Sequence, residues 1–257
     1  MLPRLLGLAV LFFLAAGWRP GWCGDDRVVI LTSLDWPPYS GPSLPGGGVS
    51  GEVVRAAFSR MGYRVDVRYL PWKRAVDQAR TDPDVSGFFP EYDSGLRDEG
   101  FVYSGAIGAS PVGFVEVRDR PVNWDTLEDL ARYRVGTVKG YVNTESFDRM
   151  AASGAFEVDS SVSDLLNLRK VMAGRVDLAV ADVNVFRYLA RTDLALSQER
   201  HRLRVNPRLL GVNTLHVCFR KGPEGEALLK IFNEGLDRLS VPDMQRRYLE
   251  SIFAGGR

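Results

Sequence analysis

The residue best suited to grip an anion sits in a short polar stretch, Ser94-Gly95-Leu96-Arg97, followed at a fixed distance by Tyr103-Ser104. Residues 85–89 before it form an apolar run that reads as a buried strand. Residues 105–111 after it are rich in Gly, Ala, Ser and Pro, where a domain can stop. An arginine beyond the C-terminal end of a strand lies where open α/β sheets bind ligands. Its planar fork of donors suits a carboxylate or another oxyanion. Taken alone, the same arginine reads first as a surface residue paired with Asp93, Asp98 or Glu99, and only the rest of the chain shifts that balance.

Other chemistry has little material. His201 and His216 are the only histidines, and both read as structural. Cys23 and Cys218 are the only cysteines, so neither a disulfide framework nor metal-ligand spacing is present. Cys218 lies in an apolar run, residues 215–219, and reads as a small buried hydrophobe. A Ser-His-Asp arrangement or a zinc site is therefore disfavoured. The formal net charge of +1, with both signs scattered, gives no pointer to nucleic acid or to an anionic membrane surface.

The elements that must position these residues follow from periodicity. Arg4 precedes an apolar run over residues 5–16, then Gly17, Trp18, Arg19 and Pro20. This reads as a secretory signal over residues 1–23, too short to span a bilayer comfortably. Cleavage is expected before Gly24, with Gly17 as the second choice; a lipid-anchored Cys23 fits poorly. From residue 27 a β-branched strand runs into Asp35-Trp36-Pro37-Pro38-Tyr39, where paired prolines hold aromatics on a stiff loop. Val54, Ala57, Phe58 and Met61 fall at helical spacing and stop at Gly62. A strand over 64–70 leads to Pro71, which opens a helix carrying Trp72, Lys73 and Arg74 in its first turn.

The alternation restarts after Pro111. Strands are expected over 112–117, 134–138, 176–181 and 210–220. Helices are expected from Asp125-Thr126-Leu127-Glu128, near 144–152, over 163–172, from Asp182 through Leu189, and over 224–239 and 243–253. Alternating strands and helices imply an α/β protein with mostly parallel pairing. The reset near 105–112 and the long strand near 210–218 imply two lobes joined by two crossing segments, one lobe being discontinuous.

These motifs, in this order, resemble the periplasmic solute-binding proteins of the polar amino acid uptake type (family 3, class II topology) over residues 28–253. The family's loop after strand one is matched by Asp35-Trp36-Pro37-Pro38-Tyr39. Its Thr-x-x-Arg with a following aromatic-Ser pair is matched by Ser94-Gly95-Leu96-Arg97 and Tyr103-Ser104. Its leucine-x-Asp-Leu helix and Val-Gly-Val strand resemble Leu127-Glu128-Asp129-Leu130 and Val135-Gly136-Thr137-Val138. Its Gly-Arg-x-Asp-Ala-x-x-x-Asp resembles the run from Gly174 to Asp182. The chain departs from the family at Pro90-Glu91-Tyr92 and at Gly140-Tyr141-Val142, and Leu70-Pro71-Trp72-Lys73-Arg74-Ala75 resembles a divergent branch of it.

The resemblance implies a two-lobe periplasmic-binding-protein fold, each lobe a mostly parallel sheet flanked by helices. Lobe one would hold residues 24–108 and 213–257, lobe two 109–212, with the hinge near 105–112 and 210–216. It implies an exported, periplasmic, monomeric protein that closes around a small polar, carboxylate-bearing ligand and delivers it to an ABC-type permease in the membrane. Arg97 would hold the ligand carboxylate and Asp182 its ammonium. Trp36, Tyr39 and Trp72 would cover the ligand, and the turn holding Tyr141 and Asn143 would add an anion site at a helix N-terminus. Ser94, Tyr92 and Arg74 complete the candidates, Arg74 as a second donor for a di-anionic ligand. No cofactor, nucleic acid or covalent chemistry is implied. Two alternatives remain: a dehydratase or lyase-like enzyme on this scaffold, with Glu91 or Asp182 as general acid/base, and a soluble sensor module for a membrane receptor.

Overall fold

The computed structural model describes residues 27–93 and 100–254. The expected signal segment, and Ser94 and Arg97 with it, lie outside the described residues. Elements run in the order β1 (Val28–Ser33), α1 (Val49–Arg60), β2 (Arg64–Tyr69), α2 (Trp72–Thr81), β3 (Gly87–Tyr92), β4 (Phe101–Tyr103) and β5 (Gly108–Val117). Then come β6 (Arg134–Val138), α3 (Glu145–Ala152), β7 (Glu157–Ser161), α4 (Asp164–Met172), β8 (Leu178–Asp182), α5 (Val183–Thr192), α6 (Leu194–Glu199), β9 (Leu203–Arg220), α7 (Pro223–Leu236) and α8 (Val241–Ala254).

The strands form one continuous path, β2-β1-β3-β9-β5-β8-β6-β7, with β4 also on β9. β1 pairs in parallel with β2 and β3, and β6 pairs in parallel with β7 and β8. Between these two parallel groups run β5 and β9, paired antiparallel from Gly108 opposite Leu215 to Val117 opposite Leu203. Their length carries the sheet from one half of the molecule to the other. The ladder slips around Val112 and Gly113, where the two halves meet.

Each half buries both faces of its sheet. In the first, α1 and α7 pack Val54, Ala57 and Phe58 against Phe219 and Phe232, while α2 covers Phe88, Phe101 and Cys218 on the other face. In the second, α4, α5 and α6 cover Leu168, Val171 and Ala179, and α3 brings Phe147 onto Phe114 and Leu178. Strands covered on both faces read as nearly unbroken apolar runs, as Leu178-Ala179-Val180-Ala181 does. Gly235 on α7 faces the backbone of Ala57 so closely that any side chain there would strike the Ala57 carbonyl.

Several local expectations need correction. The element after Thr126 is a 3-10 helix, Leu127–Arg132, and its capping box joins Thr126 to Asp129, one residue later than the Asp125–Glu128 pattern. β3 starts at Gly87 and continues through Pro90 to Tyr92, with a register slip between Phe88 and Glu91; proline lacks the donor that a regular ladder requires. β9 begins at Leu203, seven residues before the expected start at Leu210. Three elements, β4, β7 and α6, were not expected. β7 is an edge strand, Glu-Val-Asp-Ser-Ser, that pairs only with β6 and so carries no apolar signature. β4 and α6, at 3 and 6 residues, are too short to show a period.

Candidate ligand-binding site

The loop after β1 is closed on itself. Trp36 and Ser40 form an isolated antiparallel bridge, with Trp36 N–H donating to the Ser40 carbonyl at 2.8 Å, and Ser40 Oγ donates to the Leu34 carbonyl at 2.7 Å. This presses the Trp36 ring onto Tyr39, with centroids 4.6 Å apart and planes 21° apart. The edge of Tyr92, from the end of β3, meets Trp36 at 6.1 Å. Trp72, in the first turn of α2, stands edge-on to buried Phe88.

The second half faces these rings with two segments at the C-terminal ends of parallel strands. After β6, the chain turns through Gly140 at φ 84°, a left-handed conformation that costs glycine least, and presents Tyr141. After β7, Ser163 caps α4 and places Asp164 at its first position. A cleft of about 950 Å³ lies between the halves. Its walls include Trp36, Trp72 and Lys73 on one side and Gly140, Tyr141 and Asp164 on the other. That size suits a small-molecule site. A smaller adjoining space of about 30 Å³ is closed in by Trp36, Trp72, Glu91, Tyr92 and Tyr141.

Asp164 is the residue that sequence reasoning missed. It is buried, and burial together with the nearby charge of Asp182 pushes its carboxyl up to about 7. Tyr141 Oη donates to its Oδ2 at 3.3 Å, and the Trp36 indole is near enough to favour its ionised form. The same burial and the adjacent Asp164 carboxyl raise the Tyr141 phenol well above its ordinary value. Its position after a parallel strand end matches the kind of place that drew attention to Arg97, but that strand, β7, carries no apolar signature in the sequence.

Asp182 is placed differently from its expected role. It caps α5, with Oδ1 accepting from the backbone N–H of Asn184 at 2.6 Å and of Val185 at 2.8 Å. Oδ2 accepts from Tyr39 Oη at 2.9 Å and Ser110 Oγ at 2.5 Å. Four donors fill the carboxylate's acceptor positions, leaving none for a ligand ammonium. Burial raises its pKa to about 6 against the pull of these donors.

Tyr39 is fully buried, and its oxygen also accepts from Asn184 Nδ2 at 2.9 Å. Its ring does not line the cleft. Ser110 gives its proton to Asp182, so Tyr92 is the donor in the 2.6 Å contact between Tyr92 Oη and Ser110 Oγ. A chain of hydrogen bonds thus runs Tyr92–Ser110–Asp182–Tyr39–Asn184 through the junction of the halves.

Two further candidates also fall outside the cleft walls. Asn143 is buried; its backbone N–H and Nδ2 donate to Asp148 at 2.8 Å each, and its carbonyl accepts from Asn213 Nδ2. Arg74 is exposed and lines neither space, whereas Lys73 beside it does. Glu91 lines the small space and accepts from the Tyr92 N–H at 2.8 Å. His216 is held between the Ser104 carbonyl and Thr214 Oγ1, each at 2.7 Å. Among the described residues no group of acids, cysteines or histidines could hold a metal ion, and no helix is long and apolar enough to cross a membrane.

Two parallel groups of strands joined by two long crossing strands, with a cleft walled by both, define the two-lobe periplasmic-binding-protein fold. Solved structures of that fold match nearly the whole chain. A histidine kinase sensor domain with similarity to periplasmic binding proteins matches with a TM-score of 0.71 at 22% identity, over 90% of this chain and 96% of that one. An amino acid ABC transporter substrate-binding protein from Streptococcus pneumoniae, bound to L-arginine, matches with a TM-score of 0.70 at 13% identity, over 88% and 94%. An ancestral amino acid-binding protein described as a precursor of cyclohexadienyl dehydratase matches with a TM-score of 0.66 at 17% identity, over 88% and 95%. At such identities the likeness is one of fold. No protein-family model and no curated protein sequence matches the chain.

Proposed function

We propose that this chain is an exported solute-binding protein that captures a small polar, amino-acid-like ligand by closing its lobes and delivers it to an ABC-type permease. The observation that carries the reading is the cleft itself, walled by Trp36 and Trp72 from one half and by Tyr141 and Asp164 from the other. A ligand touching both walls gains contacts only when they approach, and that difference drives closure. The lobes divide as residues 24–108 with 213–257 and as residues 109–212, and the strands crossing near 105–112 and 210–216 act as hinges. Arg97 is the anchor for a ligand carboxylate, and the N-terminal segment is the export signal. The test is a thermal-shift screen against amino acids, other carboxylates and polyamines, repeated with Arg97→Ala. A ligand at 100 times its dissociation constant stabilises by roughly 2.7 kcal/mol. A carboxylate-bearing hit that disappears in the variant supports the reading, and a hit that survives removes Arg97 from the site.

Two other readings each have one observation in favour. The likeness to a histidine kinase sensor domain fits a module that reports ligand state to a membrane receptor. Loss of ligand uptake on deleting the gene separates transport from sensing. Asp164, held near neutrality in a cleft, has the property a general acid/base needs, which fits a dehydratase or lyase-like enzyme. Turnover of a bound hit, followed by product analysis, separates catalysis from binding.

A further inference from the structure

Among the described charged side chains lining the two spaces, Asp164 alone is buried; Asp35, Lys73, Asp77 and Lys139 are exposed and Glu91 is half-buried. A buried carboxylate on a cleft wall is normally matched by a cation or by several donors. Asp164 has one long side-chain hydrogen bond, from Tyr141. Asp182, also buried and only 18 positions later in the chain, is filled by four donors.

A neighbouring donor falls at the same place. Among the described residues' buried side-chain polar atoms without a close hydrogen-bond partner, Trp36 Nε1 alone belongs to a residue lining these spaces. Its residue is 7% exposed, and its influence on the Asp164 carboxyl shows that the two are close. A buried carboxylate met only by these two long donors, Tyr141 and Trp36, keeps acceptor capacity for a positively charged group. The rings of Trp36, Trp72 and Tyr141 around it also favour a positive charge over their faces.

We propose that Asp164, rather than Asp182, receives the ligand's amino group. The ligand class is then a primary amine, as in an amino acid. This rests on the solute-binding reading above and assigns one end of its ligand.

The experiment is calorimetric titration of the full chain with the common L-amino acids, the amines formed by decarboxylating them, and short dicarboxylates, followed by Asp164→Asn and Asp182→Asn with the best binder. The expected result is that an amino acid binds best and that Asp164→Asn weakens it about 100-fold, the usual consequence of removing one partner of a buried charge pair. Asp182→Asn should weaken it much less. If Asp164→Asn melts early, Asp164→Ser, which keeps a small polar group at the start of α4, replaces it. Wild-type affinity in the Asp164 variant, or a larger loss in the Asp182 variant, overturns the assignment. A dicarboxylate as the only binder overturns it while leaving the solute-binding reading intact. Absence of any binder in all three classes sinks both.

Discussion

Asp164 and Asp182 stand at the starts of α4 and α5, consecutive helices of the second half, each following a strand end, and both are buried. Their surroundings divide their roles. Asp182 is enclosed by donors from its own helix, from Ser110 on β5 and from Tyr39 on the loop after β1. Asp164 lines the cleft and has one long side-chain hydrogen bond, from Tyr141, with the Trp36 indole close by. One carboxylate joins the halves through Tyr39 and Ser110, and the other lines the cleft between them. Burial alone cannot tell such groups apart; the count of donors can.

The sharpest way to break this contrast is to remove the enclosed carboxylate. Asp182→Ala leaves two α5 backbone donors and the Tyr39 and Ser110 hydroxyls unpaired, so we expect a loss of about 3 kcal/mol in urea denaturation. Tyr39→Phe removes the hydroxyl shared by Asp182 and Asn184 and should cost about 2 kcal/mol. A change below about 0.5 kcal/mol, the size of an ordinary surface substitution, would show that the interlock carries little.

A smaller effect of opposite sign is expected at the other carboxylate. Asp164→Asn removes a poorly compensated buried charge and should leave the apo protein as stable at neutral pH or raise its stability by about 1 kcal/mol. The pH dependence follows from the same groups. Both carboxyls have folded-state values above the ordinary 3.8, about 6 for Asp182 and about 7 for Asp164. The folded state therefore holds protons more tightly than the unfolded one. This contribution is fully present below the ordinary carboxyl value and is lost as pH rises through about 6 and then about 7. Apo melting temperature should accordingly rise as pH falls from 7 toward 5, and Asp164→Asn should flatten the upper part of that slope. Half-buried carboxylates held low by hydrogen bonds, such as Asp82 and Asp129, act only below their ordinary range and leave this window undisturbed. The smallest effect is expected on α2: Arg74→Ala should change neither melting nor affinity, while Lys73→Ala at the cleft rim should alter affinity a few-fold.

Much of the fold was legible because its signals are local. Val54, Ala57 and Phe58 at helical spacing and Pro71 before Trp72 each act within a few residues of the element they define. Trp36, Trp72 and Tyr141 were legible as cleft residues because a stiff loop, a helix first turn and a glycine turn each followed a strand end. The roles of Asp164 and Asp182 were not. Asp182 is filled by Tyr39 and Ser110, which lie 143 and 72 positions away in sequence. Asp164 is buried beneath Trp36, which belongs to the other half. A Ser-Asp helix start has the same local pattern whether its carboxylate meets water or a binding cleft.

The most direct measurement is amide hydrogen exchange of the full chain with and without a saturating ligand from the amino acid screen. We expect the first turn of α4 and the turn at Gly140 and Tyr141 to gain protection, while the start of α5, already held by Asp182, stays unchanged. Equal protection at α5, or none at α4, would contradict the division of roles between the two carboxylates.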